Sequence, residues 1–329
     1  MSATLPKPIL HFEDGVAKPD VFRITRARVD AARRRNRAAA ALVRVSHGED
    51  LAAIGEWLPR IAALACSGSF LPDPRFPLRE LRIAAPNLKW IHVTGAGIEN
   101  LQPFDWLHPG LTLTNNSGVH VAKTYEFGLM SLLMLNARAP EIIANQHAAR
   151  WKQVFTGSPR GKTLVVVGLG DLGGAVARAG RSLGMKVIGL RRRDRAKLPK
   201  LLPKADILYL AAPLTDETRG MIGAPEFALL KPGAGLANIG RGPLIDTRAL
   251  LDALRSGRLC GAVLDVFEQE PLPAESPLWG APNLYISPHC SSDDAGTYMP
   301  LTLDLVFDNA RRFARGLKLK NVVDPKRGY

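Results

Sequence analysis

A glycine-rich stretch in the middle of the chain constrains the fold more than any other feature. Residues 163–190 read TLVVVGLGDLGGAVARAGRSLGMKVIGL, with a β-branched run before Gly168, Gly170 and Gly173 and a second apolar run at the end. A strand, a glycine turn, a helix and another strand in this order predict one βαβ unit of a parallel sheet. The spacing G-x-G-x-x-G predicts that the turn binds a dinucleotide.

Each glycine of this motif is expected at its position for a different physical reason. Gly168 permits the tight turn, Gly170 lets the backbone approach a pyrophosphate, and Gly173 lets the helix pack closely on the strand. The free amides at the start of the helix would then face the phosphates. A tight turn that binds nothing is the alternative, but strand, helix and second strand all have the expected spacing, which favours a ligand.

The residues after the second strand bear on which dinucleotide is bound. An Asp or Glu at this position would bond the ribose hydroxyls and favour NAD. Here Arg191 takes that position, Arg192 and Arg193 follow it, and the nearest acid, Asp194, comes late. Arginine pairs well with a phosphate, so the sequence favours NADP. A solvated basic turn with NAD bound remains the alternative.

Apolar runs on both sides of the motif extend the α/β pattern. From residue 163 onward we predict six strands, in TLVVVG, KVIGL, ILYLA, GLANI, GAVLDV and LYISP. Helices are predicted over Asp171–Leu183 and Thr247–Ser256, the second with Asp246 as its N-cap and Gly257 as its stop. The earlier part alternates in the same way, with strands in PILHF, ALVRV, AALACS and LKWIHVT and helices over Val21–Arg35, Leu51–Leu58 and Leu78–Ala84. Two doubly wound parallel sheets are therefore expected.

Length and composition agree with two globular domains. The chain has 329 residues and an apolar share of 46%, enough for two cores. Its longest apolar stretch, LMSLLML, is far shorter than the roughly 20 residues that cross a bilayer, and the N-terminus lacks an apolar signal core. Three widely spaced cysteines, Cys66, Cys260 and Cys290, form no metal or disulfide pattern. We therefore expect no membrane, no bound metal and a cytoplasmic location.

The net charge of +14 is compatible either with a polyanion partner or with a basic enzyme that acts on acidic small molecules. Several of the basic runs lie on segments of helical periodicity, where a solvated face is the simpler explanation. The sequence has no zinc-finger spacing, RNA-binding aromatic pattern or helix–turn–helix pattern. We therefore expect a small-molecule partner and no nucleic acid.

Beyond these patterns, the chain resembles the D-isomer-specific 2-hydroxyacid dehydrogenases, a family that includes glyoxylate and hydroxypyruvate reductases. The resemblance is carried by LKWIHVTGAGIENL, GKTLVVVGLGDLGGAVA, APLTDETRGMI, LKPGAGLANIGRGPLIDTRALLDAL, SGRLCGAVLDVFEQEPLP, SPLWGAPNLYISPH and LKNVVD, in the family's order. Together these segments cover most of the chain after about residue 80. The resemblance implies an α/β fold of two Rossmann-like or flavodoxin-like domains. Residues 119–295 would be a dinucleotide-binding domain inserted into a substrate domain made of residues 1–118 and 296–329.

The resemblance implies three catalytic residues. Arg241 in NIGRG would clamp the carboxylate and carbonyl of a 2-oxo acid. His289 in SPH would exchange a proton with the carbonyl oxygen, and Glu270 in EQEP would bond the imidazole and favour its charged form. Taken singly, Arg241 could be a turn arginine and Glu270 could close a loop. The other histidines carry no motif.

The resemblance also implies binding positions. Ala96 and Gly97 in TGAG would hold the substrate carboxylate, together with Arg241 and His289. The cofactor would contact Gly168, Gly170, Asp171, Leu172, Gly173, Arg191, Arg192, Arg193, Ala212, Pro213, Thr218, Asn238, Ile239, Gly240, Asp265 and His289. Two departures affect the pocket: Tyr125 replaces a small residue, and CSSDD after His289 replaces a small pair.

We therefore expect an oxidoreductase that transfers a hydride from NADPH, or from NADH, to C2 of a small 2-oxo acid such as glyoxylate or hydroxypyruvate. A phosphoglycerate dehydrogenase-type NAD enzyme and a dinucleotide-binding corepressor are the alternatives. The long apolar segment from Val121 to about Ala149 is expected as one or two helices that pack between domains or against a second subunit. The resemblance implies homodimers that form through this segment.

Overall fold

The computed structural model describes residues 6–14, 18–49 and 54–326, so residues 51–53 of the expected helix Leu51–Leu58 lie outside them. The chain divides into two compact units: a first unit of Met1–Val119 with Asp294–Tyr329, and a second unit of His120–Asp293. These boundaries lie one and two residues from the expected 118 and 296. The roles given to the two domains stay predictions.

The first unit contains a parallel sheet of five strands in the order β2-β1-β3-β4-β5. The strands are β1 (Ile9–Glu13), β2 (Arg44–Gly48), β3 (Ala63–Cys66), β4 (Trp90–Val93) and β5 (Thr112–Thr114). Its helices are α1 (Arg26–Arg35), α2 (Arg37–Ala40), α3 (Ile54–Trp57), α4 (Leu81–Ala84) and, at the end of the chain, α11 (Tyr298–Ala314).

Both faces of this sheet are covered. Along β3, Leu64 packs into one apolar cluster and Ala65 into the other, as expected where successive side chains point to opposite faces. The second cluster also contains Leu303 and Phe307 of α11, so the last helix of the chain packs in the core of the first unit. The strand order is that of flavodoxin-like folds.

Several predicted bounds in the first unit need correction. The helix predicted from Val21 begins at Arg26, where the Thr25 hydroxyl accepts a bond from the Arg28 amide at 3.3 Å. The strand predicted in ALVRV begins only at Arg44, because the preceding residues still close α2. The short strand β5 was not predicted, since three residues give no periodicity.

The second unit contains a parallel sheet of six strands in the order β11-β10-β9-β8-β6-β7. All six predicted strands are present: β6 (Thr163–Val167), β7 (Lys186–Leu190), β8 (Ile207–Leu210), β9 (Ala234–Asn238), β10 (Leu259–Leu264) and β11 (Leu284–Ile286). Its helices are α5 (Val121–Asn136), α6 (Ala139–His147), α7 (Asp171–Ser182), α8 (Leu198–Leu201), α9 (Ala224–Leu229) and α10 (Thr247–Arg255). The strand order reverses between β6 and β8, which is where doubly wound sheets bind ligands.

The apolar segment before the glycine turn forms α5 and α6. Its buried side belongs to the core of the second unit, where Leu132 and Leu135 cluster with Val176 of α7. Gly128 of α5 lies against α7, since a Cβ there would lie 3.4 Å from the Ala179 Cβ. Among the described residues, no single helix is long and apolar enough to cross a membrane. The pair α5 and α6, bent by 68°, reaches that length and apolar composition together.

Candidate active site

The predicted site residues of the second unit follow the ends of its strands. Gly168 follows β6, Arg191 follows β7, Ala212 comes after β8, Ile239 follows β9 and Asp265 follows β10. His289 lies three residues beyond the end of β11. Because all six strands are parallel, their carboxyl ends share one edge of the sheet. The topology therefore gathers these residues at a single edge.

The glycine turn has the shape that a pyrophosphate requires. Gly168 has φ +95°, and a Cβ there would lie 2.6 Å from the Ala211 carbonyl oxygen. A Cβ on Gly173 would lie 1.7 Å from the Gly168 oxygen, whereas one on Gly170 would meet nothing within 4 Å. No side chain caps α7, so its first amides, those of Asp171, Leu172 and Gly173, are available to a ligand. These residues fit a dinucleotide.

The three arginines after β7 have different surroundings. Arg192 donates to Glu217 from Nη2 at 2.8 Å and from Nε at 3.2 Å, and Arg193 lies 4.0 Å from Asp194. Arg191 is exposed at the end of β7 and has no ion pair among the described residues. Arg191 is thus the arginine best placed to meet a phosphate beside the strand. Glu217 was not predicted, because it comes from another loop.

The loops after β8 and β9 are held by their own side chains. The Thr218 hydroxyl donates to the Pro213 carbonyl at 2.8 Å. Asn238 is buried, donates to the Arg241 carbonyl at 2.9 Å and accepts from the Gly240 amide at 3.0 Å. The structure therefore assigns Thr218 and Asn238 to shaping these two loops.

Arg241 lies on a turn that touches the segment carrying Glu270. Its Nη1 donates to the Gly240 carbonyl at 2.7 Å. A Cβ on the next residue, Gly242, would lie 1.9 Å from the Phe267 carbonyl carbon, so the two loops are in backbone contact. Only glycine permits this approach, which keeps Arg241 and Glu270 on neighbouring loops.

His289 and Glu270 form a direct pair. His289 Nδ1 lies 2.5 Å from Glu270 Oε2, and Glu270 Oε1 accepts from the Phe267 amide at 2.8 Å. The His289 side chain is half exposed, at 50%. With Nδ1 engaged by a carboxylate, Nε2 is the ring atom left for a substrate. This is the geometry of an acid–base histidine and its partner carboxylate.

Asp265 is buried beneath His289. Burial raises the pKa of its carboxyl, while hydrogen bonds from Ser287, Ser291 and the Cys290 amide act to lower that pKa. The Ser287 hydroxyl donates to Oδ1 at 2.6 Å and the Ser291 hydroxyl to Oδ2 at 2.5 Å. Sequence reasoning missed both serines; the unusual CSSDD segment was a signal for Ser291, whereas Ser287 lies in the SPH motif that was read only for His289.

Ala96 and Gly97 belong to the first unit and follow β4. Asn115, not predicted, donates to the Ala96 carbonyl at 2.9 Å and so holds this loop. The role of Ala96 and Gly97 in carboxylate binding stays a prediction.

Tyr125 lies on α5, and its hydroxyl donates to the Ser182 hydroxyl at the end of α7 at 3.2 Å.

One group of potential metal ligands occurs within the described ranges: Asp14, His47 and Glu49. Arg23 already donates to Asp14 at 2.7 Å, and the Ile24 amide donates to the same carboxylate at 2.9 Å. The arginine thus supplies the positive charge that a metal would bring.

The two units and the edge described above define a dehydrogenase of the doubly wound α/β class. The D-isomer specific 2-hydroxyacid dehydrogenase NAD binding domain matches residues 129–291. A glyoxylate reductase of Aeropyrum pernix is 34% identical over 268 residues, which cover 74% of this chain and 79% of that protein. A glyoxylate/hydroxypyruvate reductase B of an Enterobacter species is 34% identical over 258 residues, with 73% and 79% covered.

The comparison with solved structures indicates the same family as the comparison of sequences. A D-isomer specific 2-hydroxyacid dehydrogenase from Xanthobacter autotrophicus Py2 in complex with NADPH and MES has a TM-score of 0.78 at 28% identity, covering 98% of this chain and 100% of that one. An NADPH-dependent glyoxylate/hydroxypyruvate reductase from Sinorhizobium meliloti in complex with NADP and sulfate has a TM-score of 0.76 at 27% identity, with 98% and 100% covered. The chain belongs to the D-isomer specific 2-hydroxyacid dehydrogenase family and is an NAD(P)-dependent oxidoreductase. The predicted family, fold class and enzyme class are confirmed.

Proposed function

We propose that the protein reduces a small 2-oxo acid of the glyoxylate or hydroxypyruvate type with NADPH, giving the D-2-hydroxy acid. The observation that carries this proposal is the His289–Glu270 pair, with 2.5 Å between Nδ1 and Oε2, at the same sheet edge as an uncapped glycine turn. Relatives named glyoxylate reductase support the substrate class.

Reduction of a 2-oxo acid needs a hydride at C2, a proton on the carbonyl oxygen and a cation for the carboxylate. The nicotinamide cofactor supplies the hydride when bound. His289 delivers the proton from Nε2, because Glu270 engages Nδ1. Arg241 offers a planar guanidinium that matches the adjacent oxygens of a 2-oxo acid. The turn between Gly168 and Gly173 would hold the pyrophosphate.

NADPH is proposed over NADH on the position of Arg191. It lies at the end of β7, is exposed and has no ion pair among the described residues, so its guanidinium is available to a 2′-phosphate. The two solved relatives described above are complexes with NADPH or NADP, which supports the same choice.

The substrate class is tested by assaying a panel of 2-oxo acids with NADPH and with NADH. We expect turnover of glyoxylate and hydroxypyruvate and a higher kcat/KM with NADPH. Arg191→Asp should move the preference toward NADH by at least about tenfold, the loss expected for one charge-assisted contact. Lys200→Asp, on the exposed side of α8, makes the same charge change and should leave the preference unaltered. Equal use of both cofactors by the unmodified protein contradicts the role of Arg191.

The catalytic role of His289 needs a separate variant. His289→Ala should lower kcat by about 10²- to 10⁴-fold, as expected for a lost general acid, while the Kd of NADPH stays nearly unchanged. The exposed His147→Ala is the control. Equal kcat in His289→Ala and the unmodified protein would refute the assignment.

We further propose that the chain forms homodimers through the segment before the glycine turn. Trp151 is 96% exposed and Phe155 is 86% exposed, and α5 and α6 add the exposed Met130, Leu133 and Ile142. Exposed apolar side chains in this density favour a protein partner. Replacing Trp151 and Phe155 by serine should shift the mass measured by light scattering toward the monomer, whereas Trp279→Ser should not. A monomeric unmodified protein contradicts the proposal.

A further inference from the structure

The loop that carries His289 is organised by one buried carboxylate. Asp265 Oδ1 accepts from the Ser287 hydroxyl at 2.6 Å, from the Cys290 amide at 3.0 Å and from the Ser291 amide at 3.1 Å. The main-chain oxygen of Asp265 accepts from the His289 amide at 2.9 Å. Three consecutive amides, those of residues 289–291, thus donate to a single aspartate, two of them to its carboxylate, an arrangement that suits an anion.

The backbone of this loop is bent at His289 itself. Its φ is +51°, a left-handed conformation that costs a non-glycine residue free energy and persists only where the surroundings impose it. The bonds from residues 289–291 to Asp265 hold this bend, together with a bond from the His289 amide to the Ser287 carbonyl at 3.0 Å. Because the bend directs the ring, whose Nδ1 lies 2.5 Å from Glu270 Oε2, Asp265 controls where the acid–base histidine points.

The other oxygen of Asp265 depends on one side chain. Oδ2 accepts from the Ser291 hydroxyl at 2.5 Å, and the structure shows no second donor to Oδ2 within its described ranges. Ser287, by contrast, donates to Oδ1, which has two further donors. Asp265 itself is only 2% exposed, so water does not readily replace a lost partner. Ser291 is therefore the side chain whose removal leaves a buried carboxylate oxygen unpaired.

We infer that Ser291 is a positioning residue for His289: its hydroxyl holds Asp265 ionised, and the ionised carboxylate holds the bent loop that directs the imidazole toward Glu270. This inference rests on the proposed proton transfer from His289. A protonated Asp265 would carry a hydrogen on one oxygen. Its carboxyl group could then no longer accept the three bonds at Oδ1 and the one at Oδ2 together. Ser291, one of the residues that depart from the family's small pair after His289, thereby acquires a function.

The experiment compares Ser291→Ala with Ser291→Thr, which keeps a hydroxyl, and with Ser292→Ala. Ser292 is the matched control: its hydroxyl accepts from Thr124 at 3.0 Å and lies 3.4 Å from the Ser291 hydroxyl, but it makes no bond to Asp265. Ser291→Ala should lower kcat by at least about tenfold. It should also move the acidic limb of the kcat–pH profile upward by about one pH unit, because a carboxylate that has lost a donor is protonated at higher pH. KM for NADPH should stay the same. Ser291→Thr should restore both values, and Ser292→Ala should change neither.

A second readout does not depend on turnover. In nuclear magnetic resonance spectra of the histidine-labelled protein, the His289 ring signals should shift in Ser291→Ala and stay in place in Ser292→Ala. Unmoved ring signals overturn the inference whatever the substrate. A lower kcat with an unmoved acidic limb overturns the route through Asp265. If the unmodified protein reduces no 2-oxo acid while the ring signals still shift, the proposed function fails and the positioning role stands.

Discussion

Gly173 and Gly174 are adjacent in the sequence, yet the structure gives them opposite tolerances. A Cβ on Gly173 would lie 1.7 Å from the Gly168 carbonyl oxygen, a backbone atom that cannot yield. A Cβ on Gly174 would meet nothing closer than the flexible end of Arg178, at 4.0 Å. The motif predicted the position of Gly173 from its spacing. The tolerance of Gly174 depends on which side of α7 faces the sheet, which spacing alone does not give.

These two glycines provide a matched pair of variants. Gly173→Ala should abolish NADPH binding, because the new methyl group pushes the turn away from α7. Gly174→Ala should keep the Kd and raise the free energy of unfolding by about 0.5–1 kcal/mol, the gain from replacing glycine within a helix. Isothermal titration and urea unfolding measure the two quantities. Equal Kd values for both variants contradict the role of Gly173.

His92 is a buried histidine outside the candidate site. It is 0% exposed, its Nδ1 lies 2.9 Å from the Thr114 hydroxyl, and burial lowers its pKa from 6.5 to about 3. The folded state therefore keeps His92 neutral, whereas the unfolded chain takes up a proton below about pH 6.5. The stability linked to His92 is complete above that pH and is lost as the pH falls toward the folded-state value.

We expect the free energy of unfolding to fall by up to about 1.4 kcal/mol for each pH unit below 6.5 on account of His92. His92→Gln should be less stable at pH 8, through loss of buried packing, but its stability should decline less steeply between pH 6.5 and 4. His147→Gln, at an exposed position, should retain the slope of the unmodified protein. Parallel slopes for all three proteins contradict a neutral buried His92.

At the scale of elements, helix α10 was predicted together with both of its ends. Asp246 accepts from the Ala249 amide at 2.9 Å, and Gly257 adopts φ +71° just after the helix. The ends of a helix depend on the residues next to them, so both ends of α10 can be predicted from the sequence. The bounds of an edge strand are less visible: β2 has a single buried residue, and with so weak an apolar pattern the strand predicted in ALVRV began too early.

The cap of α10 is testable on its own. Asp246→Ala should lower the free energy of unfolding by about 1 kcal/mol, since it removes the partner of a first-turn amide. Asp252→Ala removes a carboxylate from the exposed side of the same helix, 3.9 Å from Arg255, and should cost less than about 0.5 kcal/mol. Urea unfolding of the two variants measures the difference. A larger loss for Asp252→Ala contradicts the capping role.

At the scale of the whole molecule, the sequence predicted where the site residues gather but not how the loops hold them. Parallel strands put their carboxyl ends at one edge, so Gly168, Arg191 and His289 follow from order alone. The pairing of Arg192 with Glu217 joins two separate loops, and the bond from Ser291 to Asp265 depends on a left-handed bend. Neither has a periodic or spaced pattern, so the sequence could not show them.

The division into two units makes a prediction about where a cofactor acts. Each unit has its own apolar clusters on both faces of its own sheet. Since the glycine turn and Arg191 both belong to the second unit, the proposed binding of NADPH would stabilise that unit directly. Opening of a region that binds ligand is suppressed by mass action, by about 2.7 kcal/mol at a concentration 100 times the Kd.

Hydrogen exchange followed by mass spectrometry should therefore show slower amide exchange in β6, α7, β7 and β8 when NADPH is added, with β1 and β2 unchanged. NADH at the same concentration should protect the same peptides less, because it lacks the phosphate that Arg191 is proposed to bind. Arg191→Asp should reduce protection by NADPH to the level seen with NADH. Protection confined to β1 and β2 would contradict the assignment of the second unit as the cofactor domain, and equal protection by both cofactors would contradict the role of Arg191.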